Sequence, residues 1–151
     1  MALRLNQVGN KATTLAITVK NPSPTVTIPV GSPVFFIMSG TDDGLAVQNA
    51  ADAGATANQQ FFAGILTSKL APGDFGEAVT YGIANARVLT TATAIVKGDI
   101  FTVVITAAAD QLTRSGAGAV LTVSAPNVIA AAANATATGN AITLKVFVRA
   151  M

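Results

Sequence analysis

Residues 71–101 read APGDFGEAVTYGIANARVLTTATAIVKGDIF. The stretch holds two Gly-Asp steps, Gly73-Asp74 and Gly98-Asp99, each followed by residues that favour strands. Such a pair serves a phosphate loop, a metal site or a tight turn, and each implies a different kind of protein. A phosphate loop needs Gly-rich spacing that ends in Lys-Ser or Lys-Thr at a helix start, and neither step has it. Gly accepts positive φ and Asp caps a turn through its own backbone, so Gly-Asp before a strand reads as turn chemistry. On this reading Gly98→Val harms folding and Asp99→Asn does little.

Working outward, period-two alternation dominates. Leu15, Ile17 and Val19 share one face of a strand. Val26, Ile28 and Val30 alternate with Thr25, Thr27 and Pro29, and Pro29 makes that strand an edge or a bulge. Ile142, Leu144, Val146 and Val148 alternate with Thr143, Lys145, Phe147 and Arg149. Residues 34–38 (VFFIM) and 100–105 (IFTVVI) are apolar on both faces, as in a strand between two layers or between a layer and another subunit. Phe35, Phe36, Phe101 and Val103 are therefore candidates for the core or for a subunit interface. Further strands are predicted at 61–67, 78–83, 87–91 and 119–124. Turn residues punctuate the chain at Pro22-Ser23-Pro24, Pro72-Gly73-Asp74, Gly98-Asp99 and Gly139-Asn140. The pattern predicts an all-β fold: a compact β-sandwich or barrel-like domain of short strands with little helix. Residues 1–14 read as an extended N-terminal arm, 15–151 as a single β domain, and the Ala-rich 46–60 as a surface loop or insertion.

Three segments share one plan of Gly, a short polar residue and then a strand: PVGSPVF from Pro29, APGDF from Ala71 and VKGDIF from Val96. A longer echo sets FAGILTSKLAPGDFGEAVTYGI beside VIAAAANATATGNAITLKVFV, with Gly73 on Gly139. Two hairpins with similar turn needs account for this echo as well as a duplication does, and the hairpin reading is the simpler.

Composition removes most chemistry. The 151 residues are 51% hydrophobic but only 5% aromatic, and 11% charged against roughly 25% in an ordinary soluble domain. So few charges suit a surface covered by other subunits. There is no Cys, His or Trp, which removes thiolates, zinc-thiolate sites and the commonest general base. Asp74 and Glu77 are close in sequence, yet nothing marks a cleft between them. Thr41-Asp42-Asp43-Gly44 lacks the alternating oxygens and closing Glu of a calcium loop. The nine Lys and Arg are scattered singly, and the net charge is +2, a poor match to a nucleic-acid groove. No window has the apolar length of a membrane helix. The sequence thus predicts no catalysis, no cofactor, no metal, no nucleic acid and no membrane.

The order of the motifs resembles the small capsid decoration (cement) proteins of tailed phages, over about residues 30–149. The shared plan is carried by GILTSKLAPGDFGEAVTYGIANARVL, then VKGDIFTVV, then the polar hairpin with Leu112-Thr113, then the small-residue segment with Gly139-Asn140 before a terminal strand. The resemblance implies a compact β domain on the capsid exterior, made in the host cytoplasm. It would bind as a homotrimer at local three-fold positions and clamp neighbouring major capsid protein subunits without catalysis. Under it, Arg4 and Lys11 in the arm become candidates for capsid contact, and the subunit interface of Phe35, Phe36, Phe101 and Val103 becomes a trimer interface. The 46–60 insertion and the arm before Leu15 depart from the plan. A phage tail or fibre module is the alternative that shares this alternation of turns and strands.

Overall fold

The computed structural model describes residues 3–6, 14–38, 44–49, 61–90, 94–103, 110–115, 127–134 and 141–150. They form strands β1 (Leu3–Asn6), β2 (Thr14–Lys20), β3 (Pro33–Phe36), β4 (Val47–Gln48), β5 (Phe62–Leu66), β6 (Phe75–Leu89), β7 (Ile100–Val103), β8 (Leu112–Arg114), β9 (Asn127–Ala130) and β10 (Ala141–Arg149). Among the described residues there is no α-helix. The all-β expectation holds, and the architecture is a closed barrel with additional strands.

Strand β6 organises everything else. Its 15 residues join the two segments predicted separately at 78–83 and 87–91. The small residues between them, Ala84, Asn85 and Ala86, resemble a connection in sequence, yet Ala84 and Ala86 point into a narrow barrel where little more fits. A strand residue has one neighbour on each edge. Val79 pairs with Ala16 of β2 and Ile65 of β5, Tyr81 with Leu15 of β2 and Arg149 of β10, and Val88 with Ile142 of β10 and Leu112 of β8. So β5 and β10 lie end to end along one edge of β6, and β2 and β8 along the other.

Two rings result. The second is the closed barrel β6-β10-β9-β7-β8, antiparallel throughout except where β8 returns parallel to β6. The first is β2-β6-β5-β3-β4, closed by the parallel bridge Lys20↔Ala46 and the bond from the Lys20 N–H to the Leu45 carbonyl, 2.8 Å. Strand β1 adds to the outer edge of β2.

The rings have one topology and one register. The pair Ile17↔Ala78 recurs as Ala84↔Val146, Pro33↔Ile65 as Ile100↔Ile129, Val34↔Gly64 as Phe101↔Val128, and Phe36↔Val47 as Val103↔Leu112. The isolated bridge Ile28↔Leu70 recurs as Ile95↔Asn134. The turn bond from the Ser32 N–H to Pro29 O recurs from the Asp99 N–H to Val96 O. The sequence echo is therefore a repeat of a whole five-strand unit, with β6 serving as last strand of one and first strand of the next. The reading as two unrelated hairpins is corrected on this point. It failed because short turns look alike in sequence whether or not the strands around them correspond.

Two bulges let one sheet serve two cores. Between Val34↔Gly64 and Phe35↔Phe62, β3 advances one residue and β5 two, so Ala63 is extra. The side-chain parity resets there: Phe62 and Ile65 face the second core, Ala63 and Leu66 the first. Gly64 makes this possible at φ 144°, with the β6 backbone so near that a Cβ would lie 2.3 Å from the Val79 oxygen. In β6 the extra residue is Thr80. Its hydroxyl donates to Leu15 O at 3.2 Å and its carbonyl accepts the Ala150 N–H at 2.8 Å. Before it Ala78 faces the first core; after it Ala84, Ala86 and Val88 face the second.

Other expectations change locally. Residues 25–30 are not a strand: Ile28 alone bridges, to Leu70, and the donors lost at Pro22, Pro24 and Pro29 prevent a ladder. Leu3–Asn6, expected in an extended arm, is paired with β2. Val47–Gln48, expected in the 46–60 loop, is strand β4. Segments 50–60 and 119–124 lie outside the described residues.

Gly64→Ala is expected to cost about 3–5 kcal/mol, combining positive-φ strain with overpacking against Val79. Gly73→Ala, where a Cβ would meet nothing within 4 Å, costs only the strain of about 1–2 kcal/mol. Urea denaturation of the two variants measures the contrast, and equal losses would refute the close-packed bulge.

Candidate functional site

Gly73 and Gly98 have φ of 79° and 90°, the positive values the turn reading requires. Asp74 lends its carbonyl to the Asn21 N–H at 3.0 Å. Asp99 does more than cap a turn. One carboxylate oxygen accepts the Val96 N–H at 2.9 Å and the Arg114 Nε at 2.8 Å, and the other accepts an Arg114 terminal nitrogen at 3.1 Å. The fork-to-carboxylate pair fixes the turn before β7 to the strand β8 beside it, with the carboxylate side chain 12% exposed. These contacts argue against the expectation that Asp99→Asn does little. The sequence could not place Arg114 opposite Asp99, because that depends on the β7–β8 register Phe101↔Arg114. A second pair, Arg87 with Asp110 at 3.0 Å, ties β6 to the segment leading into β8.

Of the residues singled out from sequence, Phe35, Phe101 and Val103 are buried in the second core. Val34 and Phe35, adjacent on β3, face opposite cores, which explains the doubly apolar sequence of that strand. Phe36 packs, partly buried, against the first core. In β7 the described residues alternate, with Phe101 and Val103 inward and Ile100 and Thr102 half-buried outward; residues 104 and 105 lie outside the description. Arg4 is in β1, and Lys11 lies outside the described residues.

A cavity of about 240 Å³ opens at the end of the first ring. Pro22, Val26, Ile28, Ile37 and Val47 give it an apolar lining, with Asn21, Ser23 and Gln48 as the polar members. Asn21 is committed: its amide donates to Val26 O at 2.7 Å and Leu70 O at 3.2 Å, and its side-chain oxygen accepts the Ser23 N–H at 3.1 Å. With no ionisable side chain among the described lining residues, the hollow is suited to seat an apolar group. Two exposed apolar side chains stand at the same end: Phe75, 62% exposed beneath the Lys20 ammonium, and Met38, 58% exposed just after Ile37. The ladder Phe75↔Lys20, the bridge Lys20↔Ala46, and the bond from the Ile37 N–H to Ala46 O at 2.9 Å place them at this end on strands three steps apart.

A second apolar surface lies on the outside of the second ring. Ile100, Ile129, Phe147 and Ile83 stand side by side across β7, β9, β10 and β6, all half-buried. Tyr81, 39% exposed, meets Phe147 edge-on with ring centroids 5.3 Å apart. The sequence held one signal for this surface, Phe147 among the polar set Thr143, Lys145 and Arg149 of its strand. It held none for Ile129, whose neighbours read as low-complexity Ala.

Among the described residues no three acidic side chains converge as a metal site, and no helix is long and apolar enough to cross a membrane. The chain matches no protein-family model and no curated protein.

Asp99→Asn is expected to cost about 1–2 kcal/mol, the lower part of the range for charge-assisted bonds because the pair is partly exposed. Denaturation of the single variant and of Arg114→Met, alone and combined, measures it. Additive losses would show that the two side chains do not act on each other.

Proposed function

We propose that this chain is a structural protein of a tailed-phage particle, which decorates the capsid exterior as a homotrimer and stabilises it by bridging major capsid protein subunits. The observation that carries the reading is the end of the first ring. An apolar hollow opens there, and Phe75 and Met38 stand exposed at the same end, on a body whose charged fraction is only 11%. Such a concave apolar site with a charge-poor surround is a docking surface for protein. A neighbouring capsid subunit would lay an apolar side chain in the hollow, and many copies on one shell would multiply a weak individual contact by avidity. The order of turns and strands, which resembles capsid decoration proteins, gives the partner its identity. A rigid body suits a clamp, and β6 runs through both rings, so a load on one is transmitted to the other.

The alternative is a phage tail or fibre module. The apolar outer face of the second ring favours it, since head-to-tail association that does not close builds a filament.

Particle reconstruction decides between them. Density for this chain on the shell at local three-fold positions is the expected result, density on the tail selects the alternative, and a particle without it ends both. In co-sedimentation with heads prepared without the protein, Phe75→Glu is expected to weaken binding at least about tenfold, the loss of one interface anchor. Unchanged binding would remove this end of the molecule from the contact.

A further inference from the structure

The repeat supplies a comparison within one molecule. In the first ring the outward positions of β3, β5 and β6 are Phe35, Ile65 and Val79, and the second ring covers them: Phe35 is 1% exposed, Ile65 0% and Val79 4%. By register their counterparts are Thr102, Ile129 and Phe147. These are half-buried, and Tyr81 and Ile83 continue the apolar face beside them. The turns show the same asymmetry. A Cβ on Gly31 would lie 3.1 Å from both Asn85 O and Arg87 N, because the far part of β6 crosses it, and the Arg87 N–H donates to Gly31 O at 2.9 Å. Its counterpart Gly98 has nothing within 4 Å, and Val96 beside it is 52% exposed.

We infer that the Ile129–Phe147 face is the seat of a second copy of this chain, bound head to tail. The first ring covers in the next copy what the second ring covers within one chain. The chemistry is complementary because it is already realised once: a β-ring mouth on a sheet face of large apolar side chains. The mouth that covers Ile65 and Val79 is built around Gly82 and Ala84 at the start of the second ring. The counterparts of Gly82 and Ala84 at the mouth of the first ring are Leu15, half-buried, and Ile17, buried. A face on one ring and a mouth on the other make a heterologous contact, which closes into a ring of copies if the rotation allows. The inference rests on the proposed self-association but not on the identity of the shell.

Light scattering of the purified chain and of Phe147→Lys tests it. The wild type is expected to be oligomeric, and Phe147→Lys to raise the dissociation constant at least about tenfold with its strand content by circular dichroism unchanged. Should Phe147→Lys fail to fold, Ile129→Thr takes its place. The chain has no Cys, so a mixture of Leu15→Cys and Ile129→Cys chains reports orientation: a disulfide between the two variants is expected. A monomeric wild type, an oligomer unaffected by the substitution, or self-linking of Ile129→Cys alone overturns the inference. So does an intact Phe147→Lys oligomer that has lost head binding. That result would assign the face to the shell and leave the proposed function standing.

Discussion

Everything in this molecule depends on one strand changing its allegiance midway. Strand β6 is the last member of one five-strand ring and the first of the next. It can be both only because Thr80 is an extra residue in its pairing with β2. Were Thr80 an ordinary member of the ladder, the face that turns Ala78 toward the first core would continue to Ala84 and Ala86, and the second ring would lose its lining. The bulge is held from both sides, by the Thr80 hydroxyl on Leu15 and by Ala150 on the Thr80 carbonyl, so it is a fixed hinge of the fold. Gly64 performs the matching change on the neighbouring strand. Two parity shifts on adjacent strands keep the sheet continuous while its two faces serve different interiors.

This explains why some of the fold could be read from sequence and some could not. Strands β2 and β10 alternate cleanly because each has one face inward and one outward. The doubly apolar reading of β3 is sound for a reason sequence cannot supply: Val34 and Phe35 line two different cores. The 15 residues of β6 defeat the alternation rule, since a parity shift at Thr80 and alanines at 84 and 86 hide both its period and its length. β8 and β9 are three and four residues long and, like β4, are strands only because longer neighbours present them with open edges. Of the apolar surface residues, the sequence pointed to neither Phe75 nor Ile129. Their significance comes from what stands next to them across the ladder.

The two rings also show how one topology tolerates different side chains. Where the first core has Ile17 and Val19, the second has Ala84 and Ala86; where the first has Val34 and Val47, the second has Phe101 and Leu112. Large and small exchange places across facing strands, so filling of the interior is conserved while individual residues are not. The exchange runs further at Leu66 and Ala78, whose counterparts are Ala130 and Val146. A sequence comparison sees six dissimilar pairs here, which is why the echo around Gly73 and Gly139 looks no stronger than a shared turn.

The compensation is incomplete at the ends of the rings, and there function can reside. The second ring receives Phe35, Phe62, Ile65 and Val79 from the first as a plug. At the other end of the first ring Asn21 stands where the second ring has Val88, and a hollow of about 240 Å³ opens beside it. A buried Asn in place of Val needs partners for its amide, and it finds them in Val26 O and Leu70 O, carbonyls of the chain that closes that end. The polar residue thus holds the rim in place beside the hollow. Packing alone would favour an apolar residue there, since a hollow gives up dispersion contacts that a close-packed core makes. A rim fixed by hydrogen bonds thus keeps an apolar hollow open at this end of the ring.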